Sequence, residues 1–280
     1  MSALSQIDLC FAIDCTNSMG PFIAAAQQQA QHILNTLADQ SQADLRVAVV
    51  GYRDHGHDGE LCDVFAFQPM SERARVSAAL HGLTAYCNGN TDGAEAVFSG
   101  LVAALGLGWR EQSMRVIVLV GDAPPHGQGA NQEPFPDRYE TDPTGRTLQS
   151  LTNEIESSGV TLYALGMIPS GHTQYDQLTR ATFTFLARGT GGLFAPATNS
   201  EGALKVLKTI GERAFGDLVI DRRVFELMED LDMVPPASSS PGMPAAPAPA
   251  AMASVAAQLS MPEPEVKRAI ERLQKRKILE

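Results

Sequence analysis

At 280 residues, 44% hydrophobic and 19% charged, the chain has the make-up of an ordinary globular protein, long enough for one full α/β domain and a small addition. Its formal charge of −11 argues against a general nucleic-acid or anionic-membrane binder, since both need a basic face. No run of about 18 apolar residues is present, so no membrane span is expected.

Ile7–Ile13 reads as a strand and Pro21–Asp39 as a helix, with Pro21 in the permitted first turn. Leu45–Tyr52 and Cys62–Phe67 follow as strands. Ser71–Leu83 reads as a helix capped by Ser71, and Ala94–Leu105 as a more apolar one. Arg115–Gly121 is a nearly continuous apolar run, the mark of a central parallel strand covered on both faces. Thr147–Ser158 is an expected helix, Thr161–Met167 a strand, Tyr175–Arg188 a helix and Gly192–Pro196 a short strand; Ser200–Met233 is largely helical. The alternation predicts an α/β fold: a doubly wound, mostly parallel central sheet flanked by helices, with one short antiparallel edge. Residues 234–253 are rich in Pro and Ala and read as a linker between a domain at 1–233 and a short helical segment at 254–280. Cys10, Cys15, Cys62 and Cys87 form no CxxC pair, and Met1–Ser5 is too short and polar for a secretory signal, so free thiols in a reducing cytoplasm are expected.

Asp14-x-Thr16-x-Ser18 follows the first strand directly. A carboxylate and two hydroxyls at alternate positions can converge on one cation, and all-oxygen ligands suit Mg²⁺ or Mn²⁺ better than Zn²⁺. Ligands of open α/β sheets bind at the carboxyl ends of strands, where this tripod would sit. Asn88–Glu95 is a polar turn that offers Thr91 or Asp92, and Asp122 ends the central strand. The alternative is that Asp14, Thr16 and Ser18 only cap the helix near Pro21.

This pattern resembles the metal-ion-dependent adhesion site of von Willebrand factor A domains: Asp14, Thr16 and Ser18 match its first motif, Thr91 its second-loop Thr and Asp122 its later Asp. A subgroup carries Asp one step along the second loop, as in Gly-Gly-Gly-Asp-x-Pro-Glu, which Asp92 followed by Glu95 fits. Tyr52-Arg53-Asp54-His55, Asp122-Ala-Pro-Pro-His126-Gly127 and the stretch from Asp137 to Gly145 look like the A domains attached to some α-type protein kinases. The likeness covers roughly Gln6 to Arg213; Asn90-Thr91 stands where that subgroup has glycines, and no kinase domain is present. The resemblance implies a metal at the top of the sheet, with Thr16 and Ser18 binding directly and Asp14 and Asp122 acting mainly through water or hydroxyls. It further implies a partner protein whose exposed Asp or Glu completes the coordination: an adaptor or scaffold rather than an enzyme.

Arg53-Asp54 reads as an ion pair shaping the site, with Arg53 and His126 as candidate partner contacts. His55-Gly-His57…Cys62 has zinc-capable side chains without a second pair at familiar spacing, and reads as a solvated turn. Catalysis finds no motif: position 16 is Thr where a haloacid-dehalogenase-type phosphatase needs Asp, and neither a Gly-x-Ser-x-Gly elbow nor a phosphate loop is present. Residues 255–280 hold six Lys/Arg against four Glu and resemble the helix-turn-helix half of a winged-helix domain. Glu263 and Glu265 at the start of the second helix would repel DNA, so docking to a protein is favoured over a DNA-associated regulatory role.

Overall fold

The computed structural model describes residues 3–28, 35, 43–56, 58–88, 92–131, 133–170, 173–231 and 249–279. Among these residues six strands form one sheet: β1 (Gln6–Asp14), β2 (Asp44–Tyr52), β3 (Cys62–Pro69), β4 (Met114–Gly121), β5 (Val160–Met167) and β6 (Phe194–Ala197), in the order β3-β2-β1-β4-β5-β6. All neighbours pair in parallel except β2 with β3, which makes the expected antiparallel edge. The helices are α1 (residues 20–28), α2 (Arg73–Gly82), α3 (Val97–Leu105), α4 (Leu148–Ser157), α5 (Thr173–Gly189), α6 (Ser200–Asp230), α7 (Pro249–Leu259) and α8 (Glu263–Lys275).

Strand alternation divides the core in two. Leu9, Phe11 and Ile13 of β1 face a cluster that includes Phe22 of α1, Leu80 of α2 and Phe215 of α6. Cys10 and Ala12 face the opposite cluster, with Phe98 of α3, Ile155 of α4 and Phe183 of α5. Burial on both faces is why β1 and β4 read as nearly unbroken apolar runs.

Two expectations about helix starts are corrected. Ser71 does not cap α2: Met70–Glu72 forms a 3-10 turn, and the helix begins at Arg73. The third helix begins at Val97, not Ala94, because the backbone before it bonds to other loops instead. Gly93 N–H donates to Phe135 O, Glu95 N–H to Pro124 O and Ala96 N–H to Arg53 O, each at 3.0 Å.

At the opposite end of the sheet, α7 and α8 pack on the last turns of α6 in a third apolar cluster. Val224 and Met228 meet Val255 and Ala256 of α7 and Val266, Ile270 and Leu273 of α8. Ser260, at φ 54°, breaks the chain between α7 and α8. The segment therefore covers its apolar face with α6 of its own chain. Most of the expected linker lies outside the described residues, and α7 already begins at Pro249 within its assigned range. Among the described residues no helix is long and apolar enough to cross a membrane.

Candidate metal centre

Strand order reverses between β1 and β4, and at such a switch point the loops leaving the carboxyl ends diverge and open a crevice. Asp14 ends β1 and Asp122 follows β4 directly, so the two carboxylates flank that crevice. A cavity of about 310 Å³ opens there, lined by Thr16, Ser18, Asp92, Glu95 and Asp122 among others.

Asp14 is fully buried beneath this cavity. Its Oδ1 accepts the Thr16 backbone N–H at 2.8 Å and Thr16 Oγ1–H at 2.6 Å, which folds the loop so that Thr16 Oγ1 and Ser18 Oγ come within 3.3 Å. Asp14 Oδ2 is buried and has no hydrogen-bond partner among the described residues. Thr16 precedes the Asn17–Met19 3-10 turn without a side-chain capping bond. The Ser18 hydroxyl hydrogen-bonds the Asp122 carboxylate.

The electrostatics are those of crowded, dehydrated carboxylates. Burial, then the Asp122 charge, pushes the Asp14 carboxyl well above the usual range. Asp122 is raised by burial against the lowering bond from Ser18. The Glu95 carboxyl is also raised, first by burial, with Asp14, Asp54 and Asp122 adding repulsion. An orphaned carboxylate oxygen and several repelling carboxyls around two hydroxyls make a donor set that a divalent cation satisfies.

Of the expected ligands, Asp14, Thr16, Ser18 and Asp122 converge on the crevice, and Asp92 lines the same cavity, 8% exposed. Thr91 lies outside the described residues. Glu95 belongs to the same cavity and is absent from the expected ligand set. Its place in the subgroup motif, three residues after Asp92, was the available signal, while the helical reading of Ala94–Leu105 overlapped it.

Arg53 and His126, read as partner contacts, are 5% and 0% exposed and point inward. Arg53 does not pair with Asp54, because successive side chains leaving a strand point to opposite sides. Its Nη2 bonds Asp63 Oδ2 at 2.7 Å and its Nε donates to Tyr86 O at 2.9 Å. His126 instead takes Asp54: Nε2 lies 2.6 Å from Asp54 Oδ1, and Nδ1 lies 2.9 Å from Asp137 Oδ1. Both expected surface roles give way to internal ones. His55 is half-buried rather than solvated, with Nε2 3.2 Å from Ser99 Oγ; His57 lies outside the described residues.

The family model of the von Willebrand factor type A domain matches residues 8–188. An alpha-protein kinase, vwkA of Dictyostelium discoideum, is 30% identical over 159 residues; the match covers 56% of this chain and 24% of the kinase, so the chain spans about a quarter of that relative. Among solved structures, the pilus adhesin SpaC from Lactobacillus rhamnosus GG aligns at TM-score 0.58 and 14% identity, covering 75% of this chain and 31% of the adhesin. A von Willebrand factor type A protein from Catenulispora acidiphila aligns at TM-score 0.51 and 16% identity over 76% of this chain and 43% of its own. Proximal thread matrix protein 1 of the mussel byssus, with a zinc-occupied adhesion motif, aligns at TM-score 0.51 and 15% identity over 76% and 47%. With the matched region spanning most of the sheet and both flanking layers, the chain belongs to the von Willebrand factor type A domain family.

Proposed function

We propose that this chain is a metal-dependent protein-interaction module, an adaptor or scaffold whose Mg²⁺ or Mn²⁺ site is completed by an Asp or Glu of a partner protein. The observation that carries this reading is the pairing of Asp14 Oδ2, buried without a partner among the described residues, with the cavity above it. Thr16 and Ser18 would hold the ion through their hydroxyls, with Asp14 and Asp122 orienting them and neutralising charge; Asp92 or Thr91 would contribute from the second loop. A bound cation supplies Lewis-acid affinity for an incoming carboxylate. Family membership and the adhesin and matrix-protein neighbours support an interaction role. The kinase relative extends far beyond the matched region, and this chain is read as a non-enzyme working in the cytoplasm.

The alternative of a DNA-associated subunit loses ground on charge. Arg272 and Arg276 of the C-terminal segment bond the buried Asp221, Lys275 pairs with Glu156 at 2.7 Å, and Lys277 pairs with Glu111 at 2.5 Å. Basic groups engaged in this way are poor phosphate ligands.

Calorimetric titration of Mg²⁺ and Mn²⁺ into metal-stripped protein tests the proposal, with and without excess acetate as a surrogate partner carboxylate. Saturable binding in the wild type, lost in Asp14→Ala, is the expected outcome. Absence of binding in both proteins, acetate included, would return the tripod to loop shaping.

A further inference from the structure

Beside the crevice lies a second group of ligand-type side chains with a different chemistry. Asp54, Asp92 and His126 are all buried, and one ligand atom from each lies within 4.8 Å of the others. Metal–nitrogen and metal–oxygen bonds of about 2.0–2.2 Å would bridge that span after movements of less than ~1 Å. Asp54 leaves β2, Asp92 lies ahead of α3 and His126 follows β4, so the ligands come from three segments. The Ala96-to-Arg53 and Glu95-to-Pro124 backbone bonds fasten those segments together.

His126 is already oriented as a metal ligand would be. Its Nδ1 faces Asp137 Oδ1 at 2.9 Å, and Asp137 Oδ2 is held by Gly127 N–H at 2.7 Å. Tyr139 N–H donates to Asp137 Oδ1 at 2.9 Å. A carboxylate behind one imidazole nitrogen fixes the ring and leaves the other nitrogen to bind an ion. That other nitrogen, Nε2, is the one aimed at Asp54, 2.6 Å away. Arg138 meets Asp92 Oδ2 through its backbone N–H at 3.4 Å, and its exposed guanidinium lies 3.9 Å from the same oxygen.

We propose that His126, Asp54 and Asp92 form a second cation site, distinct from the all-oxygen crevice and suited by its imidazole ligand to Zn²⁺ or Co²⁺ rather than Mg²⁺. On binding, the ion takes the Nε2 lone pair, the Nε2 proton leaves to solvent, and the Nδ1 proton stays donated to Asp137. Asp92 also lines the first cavity, so the two sites adjoin and the diagnostic variants are taken from residues unique to each.

The test is equilibrium dialysis of Zn²⁺ against the metal-stripped full chain, with nitrogen-15 spectra of the histidine rings. With the crevice disabled by Asp14→Ala, Zn²⁺ is still expected to bind, and in wild type and variant alike to move the His126 Nε2 resonance from its protonated to its metal-bound position. Asp137→Asn is expected to weaken Zn²⁺ binding about ten- to a hundredfold. His126→Gln, checked for folding by its amide spectrum, is expected to abolish it in the Asp14→Ala background. The proposal is overturned if both His126 ring nitrogens keep their protons at saturating Zn²⁺, a readout on the wild type that no misfolded variant confuses. It is equally overturned if zinc is lost in Asp14→Ala but unaffected in Asp137→Asn, which would put the ion in the crevice instead.

Discussion

Both hydrogen bonds that Asp14 receives from Thr16, from the backbone N–H at 2.8 Å and from Oγ1 at 2.6 Å, fall on a single carboxylate oxygen. The other oxygen is left buried without a partner among the described residues, which is a poor arrangement for a residue whose task is only to shape a loop. A loop-shaping Asp would stabilise the fold by about 1 kcal/mol, and its loss would lower stability at any metal concentration.

Asp14→Asn separates these roles. Burial and then the Asp122 charge push the Asp14 carboxyl up to about 8, so at pH 7.5 the metal-free protein must hold it largely protonated, a cost that the neutral amide of Asn avoids. The variant is expected to melt no lower than wild type in EDTA, and to lose the rise in Tm that Mg²⁺ gives the wild type. Thermal unfolding with EDTA or Mg²⁺ measures both. A variant that melts lower in EDTA yet still responds to Mg²⁺ would support the loop-shaping role.

Acid stability resides at the other end of β1. Asp8 is fully buried, and burial alone would raise its carboxyl. Hydrogen bonds from Arg46 and from Arg110, by backbone and side chain, bring it below the usual carboxylate range. Arg46 Nη2 reaches it at 2.6 Å, Arg110 Nε at 2.9 Å and Ser113 Oγ at 3.0 Å. A lowered folded-state value means that the stabilisation is complete above the unfolded carboxylate pKa. It is lost as pH falls through the lower folded value. Asp8→Asn is therefore expected to lose about 3 kcal/mol at pH 7, with the gap to wild type closing only below about pH 4. Denaturant titrations at pH 3, 4, 5 and 7 read it; a gap that closes already at pH 5 contradicts the assignment.

Local signals made the strand ends legible and left their surroundings hidden. Asp14 and Asp122 were identifiable because an apolar run stops where a carboxylate begins, and the parallel register of β1 with β4 brings those ends level. Glu95 matched the subgroup motif but was read into a helix because Ala94–Leu105 has helical composition, whereas bonds to Phe135, Pro124 and Arg53 from elsewhere in the chain hold residues 93–96 out of it. Arg53 and Asp54 read as a pair because they are adjacent, whereas their partners come from elsewhere, Asp63 from β3 and His126 from the loop after β4. The docking of α7 and α8 on α6 was equally non-local, since an amphipathic helix does not name the face that covers it.

That docking turns on Asp221, a fully buried carboxylate in α6. Arg272 reaches its Oδ1 through Nη2 at 2.6 Å and Nε at 2.9 Å, and Arg276 lies 3.4 Å from Oδ2. Removing one partner of a buried ionic cluster costs about 3–5 kcal/mol, because the remaining charges stay buried without compensation. Asp221→Ala is expected to release α7 and α8 while the sheet persists. Hydrogen exchange should show lost protection in residues 252–275 and unchanged protection in β1 and β4. Retained protection in α8 would mean that the apolar contacts of Val266, Ile270 and Leu273 hold the segment without the cluster.

Tyr52 links the candidate metal crevice to the core, and two glycines make room for it from opposite sides. A Cβ at Gly100 would lie 2.6 Å from Tyr52 Cδ1 and 2.9 Å from its Cβ, close to the backbone where the ring cannot yield. A Cβ at Gly121 would lie 2.6 Å from the Tyr52 hydroxyl and 3.4 Å from Asp14 Oδ2. Gly100→Ala is expected to cost about 1–3 kcal/mol, the usual range for overpacking a filled core. Gly121→Ala presses on the ring's far end and on Asp14 together. Its larger effect is therefore expected in Mg²⁺ affinity, through displacement of the carboxylate that holds Thr16. Calorimetric titration of both variants, paired with their denaturation midpoints, gives the comparison. If Gly100→Ala weakened Mg²⁺ binding as much as Gly121→Ala, transmission through Tyr52 would outweigh direct contact with Asp14.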